Sequence, residues 1–153
     1  MSDRWVLHSD GGARGNPGPG GAGIVLRRAD GSIAAEGGAF LGTVTNNVAE
    51  YAALLWGLRA ARVLGARSLL VKADSELVVK QMRGEYRVKN EGLKPLFCEA
   101  RALQRGFDEV EFAHVRRAEN AEADALANQA MDGQCTVGDA PEPPQPGGGR
   151  LFV

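Results

Sequence analysis

Strand and helix signals alternate along the chain. Arg4 to Ser9 is a short β-rich run, and Gly20 to Arg28 is a second, in which Ile24 and Leu26 alternate with Val25 and Arg27. Asp30-Gly31 is a hairpin turn signal leading into a third run, Ser32 to Leu41, so the first forty residues predict an antiparallel meander. From Asn47 to Leu64 the spacing becomes helical, with Val48, Tyr51, Leu55 and Leu58 on one face, Gly65 placed to end the helix, and Asn47 with Glu50 resembling a capping box. Ser68 to Ala73 is a mostly apolar strand that, following a helix, can lie parallel to the first. Helices are expected over Ser75 to Met82, stopped by Gly84, and over Leu93 to Arg105, where Pro95 fits the first turn. Glu109 to Val115 alternates Val110, Phe112 and His114 with Glu109, Glu111 and Ala113, and Ala121 to Met131 closes the pattern as a helix. The order β-β-β-α-β-α-α-β-α predicts an α/β fold, with a five-stranded mixed sheet flanked by helices. Trp5, Trp56, Phe97 and Phe112 are assigned to its core.

At 153 residues the chain has the size of about one domain, expected over residues 1–132. Residues 133–153, rich in Gly and Pro and poor in apolar side chains, are expected to form a mobile tail with a frayed Leu151-Phe152-Val153 end. With 18 basic and 19 acidic residues the formal charge is -1, so nucleic-acid contact must come from a local patch and not from whole-molecule attraction. Met1 to Trp5 lacks the layout of a signal peptide, and no run of roughly 18 apolar residues occurs. A cytoplasmic monomer without membrane contact is expected. Cys98 and Cys135 are far apart and are read as free thiols.

The carboxylates change the picture. Asp10 ends the first predicted strand and Asp74 the fourth, while Glu50 and Asp124 lie near the starts of the long and last helices. Strand ends at the crevice of an α/β sheet are common ligand sites. Two parallel strands each ending in Asp bring like charges together, which costs free energy unless a proton or cation intervenes. Mg²⁺ suits an all-oxygen cluster of this kind. Singly, each acid has a plainer explanation: a cap for Glu50, a helix-dipole partner for Asp124, a turn for Asp10.

Four stretches, in this order, are similar to those of type 1 ribonuclease H. They are Ser9-Asp10-Gly11-Gly12-Ala13-Arg14-Gly15-Asn16-Pro17-Gly18-Pro19-Gly20-Gly21, Thr45-Asn46-Asn47-Val48-Ala49-Glu50, Asp74-Ser75, and His114 leading through Asn120 to Asp124-Ala125-Leu126-Ala127. The resemblance implies the ribonuclease H-like fold and hydrolysis of the RNA strand of RNA–DNA hybrids, leaving 5′-phosphate and 3′-hydroxyl ends. It also implies two Mg²⁺ ions, with Mn²⁺ as substitute, held by Asp10, Glu50, Asp74 and Asp124, and a histidine, His114, that assists protonation and product release. By the same resemblance Gly11, Gly12, Asn16 and Asn46 would touch the RNA strand, and Thr45 and Asn47 the DNA strand or its phosphate. The loop Gly11 to Gly21 exceeds the two to five residues of a simple hairpin, which favours ligand contact. Glu76 stands where many relatives carry Gln, making that position an acceptor only. Arg116 and Arg117 are placed to meet a phosphate.

Many bacterial relatives carry a basic, Trp-rich protrusion after the short helix; here Lys80 to Arg105 has seven basic residues, three acids and no Trp. The chain thus resembles the compact, archaeal-like branch. For Arg83, Arg87 and Lys89 a solvated face is favoured over a substrate-binding role. The alternatives are a non-catalytic nucleic-acid-binding module and a related nuclease that also cuts double-stranded RNA. All four acids are present, which argues against the first.

Overall fold

The computed structural model describes residues 3–147. Strands β1 (Arg4–Ala13), β2 (Gly18–Arg27) and β3 (Ile33–Val44) form the meander, and helix α1 (Asn46–Val63) leads to β4 (Ser68–Ala73). Helices α2 (Glu76–Met82) and α3 (Lys94–Gln104), strand β5 (Glu109–His114), a 3₁₀ turn (Arg117–Asn120), α4 (Ala121–Gly133) and a two-residue strand β6 (Val137–Gly138) follow. The sheet is mixed, as expected, but among the described residues it has six strands and not five, in the order β5-β4-β1-β2-β3-β6.

The larger core lies where α1 covers the sheet: Leu7, Ile24, Leu26, Leu41, Tyr51, Leu55, Trp56 and Leu69 are fully buried. Phe112 joins them, with Trp5 and Phe97 packed partly buried against the cluster, in keeping with the core assignment of the four aromatics. α4 covers β2 and β3 with small residues, Ala123, Ala127 and Ala130 among them.

Three expectations are corrected. The glycine block is mostly strand, not loop. Pairing runs on through Gly11↔Ala22, Gly12↔Gly21 and Ala13↔Gly20, so the turn is only residues 14–17, and its length gives no support to a ligand role. The strand glycines serve close packing on both faces: a Cβ on Gly11 would run into the Ala49 carbonyl of α1, and one on Gly23 into the Ala123 carbonyl of α4. The cap of α1 is Thr45, whose Oγ1 accepts from the Val48 N–H at 3.2 Å, and not Asn47.

The third correction concerns the tail. Val137 and Gly138 pair with Gly38 and Gly37 of β3, and the N–H groups of Asp139 and Ala140 donate to the Glu36 carbonyl at 2.9 and 3.1 Å. The Pro141 carbonyl accepts from the Trp56 indole N–H at 2.9 Å, and Ala140 and Pro144 are buried. The segment is held by backbone bonds to an open sheet edge and by a buried indole needing a partner, neither of which depends on apolar side chains. The expected frayed end at Leu151-Phe152-Val153 lies outside the described residues.

Candidate active site

Register assembles the site. β1, β4 and β5 are parallel, with Ser9↔Ala73 and Ala73↔His114 as their last partners, so Asp10, Asp74 and Val115 follow side by side. Against expectation Asp10 does not end its strand, because β1 runs on to Ala13 by pairing with β2 after β4 has stopped. α1 brings Glu50 to the same place. The Gly11 N–H donates to Glu50 Oε1 at 3.0 Å, so Glu50 turns toward the strand end instead of capping its own helix. One oxygen each of Asp10, Glu50 and Asp74 lies within 4.8 Å of the others. Asp124 is carried in by α4, whose approach is pinned by Asn120, a buried residue that donates to the Ser9 carbonyl at 2.8 Å.

The electrostatics follow from this crowding. Asp10 is buried, and its carboxyl is raised well above the usual carboxylate range, first by burial, then by the charges of Glu50 and Asp74 and by hydrogen bonds to Asp124 and Asp74. Burial also raises Glu50, against the lowering effect of the Gly11 N–H. Asp10 and Glu50 therefore hold their protons more tightly than ordinary carboxyls unless positive charge replaces them. A hard divalent cation satisfies four converging carboxylates of this kind, and the donor set, all oxygen, fits Mg²⁺ or Mn²⁺.

The acids line a cleft of about 490 Å³ together with Gly11, Gly12, Asn46, Asn47 and Arg117. Arg117 Nη2 stands 3.7 Å from Asp124 Oδ1. Other expected residues lie beside the cleft. Asn16 Oδ1 accepts from the Asn46 N–H at 3.0 Å and Asn46 Oδ1 from the Ala13 N–H at 2.8 Å, clasping the β1–β2 turn to the start of α1. Thr45 is spent on its cap. His114 is exposed at the end of β5, its Nε2 3.2 Å from the Asp74 carbonyl oxygen, the backbone contact that a plain strand-end imidazole would make. Arg116 is exposed just before the 3₁₀ turn, and Glu76 pairs with Lys80 at 3.2 Å along α2. Arg83 pairs with Glu85 and Lys94 with Glu91, so part of the local basic surplus is met by neighbouring acids.

The cleft also contains Asn128 and Met131 of α4, which the sequence reading passed over, and Ser75, given no site role there, whose Oγ caps α2 by accepting from the Val78 N–H at 3.2 Å. For Asn128 the signal was available, since it follows Asp124 by four residues on a predicted helix and so shares its face.

Comparison with known proteins agrees with this geometry. A family model described as Reverse transcriptase-like matches residues 8–130. A bifunctional protein of Mycobacterium tuberculosis is 48% identical over 128 residues, 83% of this chain and 35% of that protein. Ribonuclease HI of Halobacterium salinarum is 47% identical over 129 residues, 84% of this chain and 65% of that protein. The chain thus spans between a third and two thirds of the length of these curated relatives. The crystal structure of LC11-RNase H1 in complex with an RNA/DNA hybrid is similar with a TM-score of 0.81 and 39% identity, covering 85% of this chain and 98% of that one. With the fold, the acid cluster and these identities in agreement, the chain belongs to the type 1 ribonuclease H family.

Proposed function

We propose that this chain is a metal-dependent endoribonuclease that hydrolyses the RNA strand of RNA–DNA hybrids, leaving 5′-phosphate and 3′-hydroxyl ends. The observation that carries the reading is the convergence of Asp10, Glu50 and Asp74 where the parallel pairing of β1 and β4 stops, with Asp124 facing the same cleft. The four acids would hold two divalent ions, Mg²⁺ with Mn²⁺ as substitute. Bound there, such ions lower the pKa of a water and stabilise charge on the departing 3′ oxygen.

The chain's own residues supply binding, orientation and proton handling. The backbone at Gly11 and Gly12, with Asn46 at the start of α1, faces the cleft, where an RNA strand can meet donors and acceptors that detect a 2′-hydroxyl. Nothing lies within 4 Å of where a Cβ on Gly12 would stand, so the protein itself has no need of a glycine there and the space is left for a ligand. Asn16 supports Asn46 through the clasp, and Thr45 and Asn47, at the helix start, would meet the DNA strand or its phosphate. Arg117 on the rim, with Arg116 beside it, offers guanidinium groups to a phosphate. His114 Nε2 can give up the Asp74 carbonyl to carry a proton to the leaving oxygen. Glu76, engaged with Lys80, contributes at most an acceptor near the RNA.

The reading takes the protein as a cytoplasmic monomer, and no helix among the described residues is long and apolar enough to cross a membrane. The test is cleavage of labelled RNA–DNA hybrid, double-stranded RNA and double-stranded DNA of one sequence, with Mg²⁺, Mn²⁺ or chelator. Metal-dependent cutting of the hybrid supports the reading, and cutting of double-stranded RNA as well widens its substrate class. A folded protein that binds hybrid and cuts nothing would be a binding module.

A further inference from the structure

Asp124 hydrogen-bonds Asp10 but is not one of the three acids whose oxygens all lie within 4.8 Å of one another, and its side chain is also held by neighbours on its own helix. Asn128, one helical turn on, donates through Nδ2 to the Asp124 carbonyl oxygen at 3.0 Å and to Asp124 Oδ2 at 3.3 Å. The Oδ1 atom of Asn128 accepts from Arg14 Nη2 at 3.3 Å, and the same Nη2 pairs with Asp132 Oδ1 at 2.7 Å. This arrangement leaves the amide one orientation. The two acceptors on Asp124 require the NH₂ end, and the guanidinium requires the oxygen. Arg14 belongs to the turn that joins β1 to β2, so the chain of contacts ties that turn, beside Gly11 and Gly12, to the helix carrying Asp124.

We propose that Asn128, oriented by Arg14, is a positioning residue that fixes the rotamer of Asp124 for metal binding. Nδ2 holds Oδ2 and leaves Oδ1, on the side of Arg117, as the ligand oxygen. Groups that orient the ligands of a metal site commonly matter for affinity by 10–100-fold. The inference rests on the metal-dependent reading of the site and adds two residues to it.

The test compares the wild type with Asn128→Ala, Asn128→Leu, Arg14→Ala and Arg14→Lys. Three quantities are read: the metal-free Tm, the Mg²⁺ and Mn²⁺ concentration giving half of the metal-induced rise in Tm, and the metal dependence of hybrid cleavage. Ala is a better helix former than Asn, so Asn128→Ala is expected to fold and to keep its metal-free Tm. The half-effect metal concentration should rise about tenfold in both Asn128 variants. Cleavage should fall at low metal and recover at saturating metal. Arg14→Ala should move the same way by less, and Arg14→Lys, which keeps a donor, should restore most of the loss. Wild-type metal titrations in both Asn128 variants would overturn the proposal, as would a lowered metal-free Tm with an unchanged titration. A wild type with neither a metal-induced rise nor cleavage would instead overturn the reading of the site itself.

Discussion

Asp10 pays for its place in β1 by being buried beside two like charges. Its carboxyl and that of Glu50 are raised, so each binds its proton more tightly in the folded protein than in the unfolded chain. Their contribution to metal-free stability is therefore complete below the ordinary carboxylate pKa of about 4 and is lost as pH rises through the raised folded values. Asp10→Asn removes one of these charges. The metal-free variant should melt above the metal-free wild type at pH 8, the gap narrowing toward pH 4, and it should show little response to Mg²⁺; thermal melts across this range check it. Gly11 and Gly12 separate fold from function at adjacent positions. Gly11→Ala meets the Ala49 carbonyl and should cost roughly 1–3 kcal/mol of stability. Gly12→Ala points into open space and should leave stability within about 0.5 kcal/mol. If RNA packs against that backbone, its KM for hybrid should rise about tenfold while the fold stays intact; melts and kinetics on the two variants decide between packing and ligand contact.

At the level of elements, the start of α1 gives a clean distinction. Thr45→Ala removes a cap and should cost about 1 kcal/mol, whereas Asn47→Ala should fall within about 0.5 kcal/mol because its side chain caps nothing; urea melts check the pair. The sequence pattern placed the helix and its hydrophobic face but chose the wrong cap. Asn47 with Glu50 has the spacing of a capping box, and only the fold shows that Glu50 is claimed by the Gly11 N–H across 39 positions of chain. The glycine block was misread for a similar reason. Gly reads as loop in a local window, while here Gly11 and Gly23 let two helices approach one strand pair from opposite faces. The tail shows the third kind of failure. Composition registers apolar burial, but residues 137–141 are held by main-chain bonds to β3 and by the Trp56 indole. Ending the chain at Gln134 should lower the Tm by several degrees and expose Trp56 to quenching, leaving metal-dependent activity of the folded protein intact. Melts and indole fluorescence test this.

For the whole molecule, what was legible is the set of acids, and what was not is their mutual geometry. Asp74 could be placed at a strand end and the helix between β3 and β4 made the parallel relation of β1 and β4 predictable, whereas Asp10, expected at the end of its strand, lies inside a β1 that continues to Ala13. The alignment of Asp10 with the ends of β4 and β5 depends on register, which no local pattern carries. With a formal charge of -1, the molecule as a whole does not attract a polyanion, so recognition falls to the cleft and its rim, where divalent cations would offset the acids. Affinity for hybrid should accordingly depend on the metal as well as on salt. The most direct measurement is end-group analysis of a 5′-labelled RNA strand annealed to DNA, incubated with wild type or Asp10→Asn in Mg²⁺ and in chelator. Internal RNA fragments ending in 3′-hydroxyl, formed only by wild type with metal, are the expected result. Cleavage that persists in chelator or in Asp10→Asn, or fragments ending in 2′,3′-cyclic phosphate, would contradict catalysis by the carboxylate site.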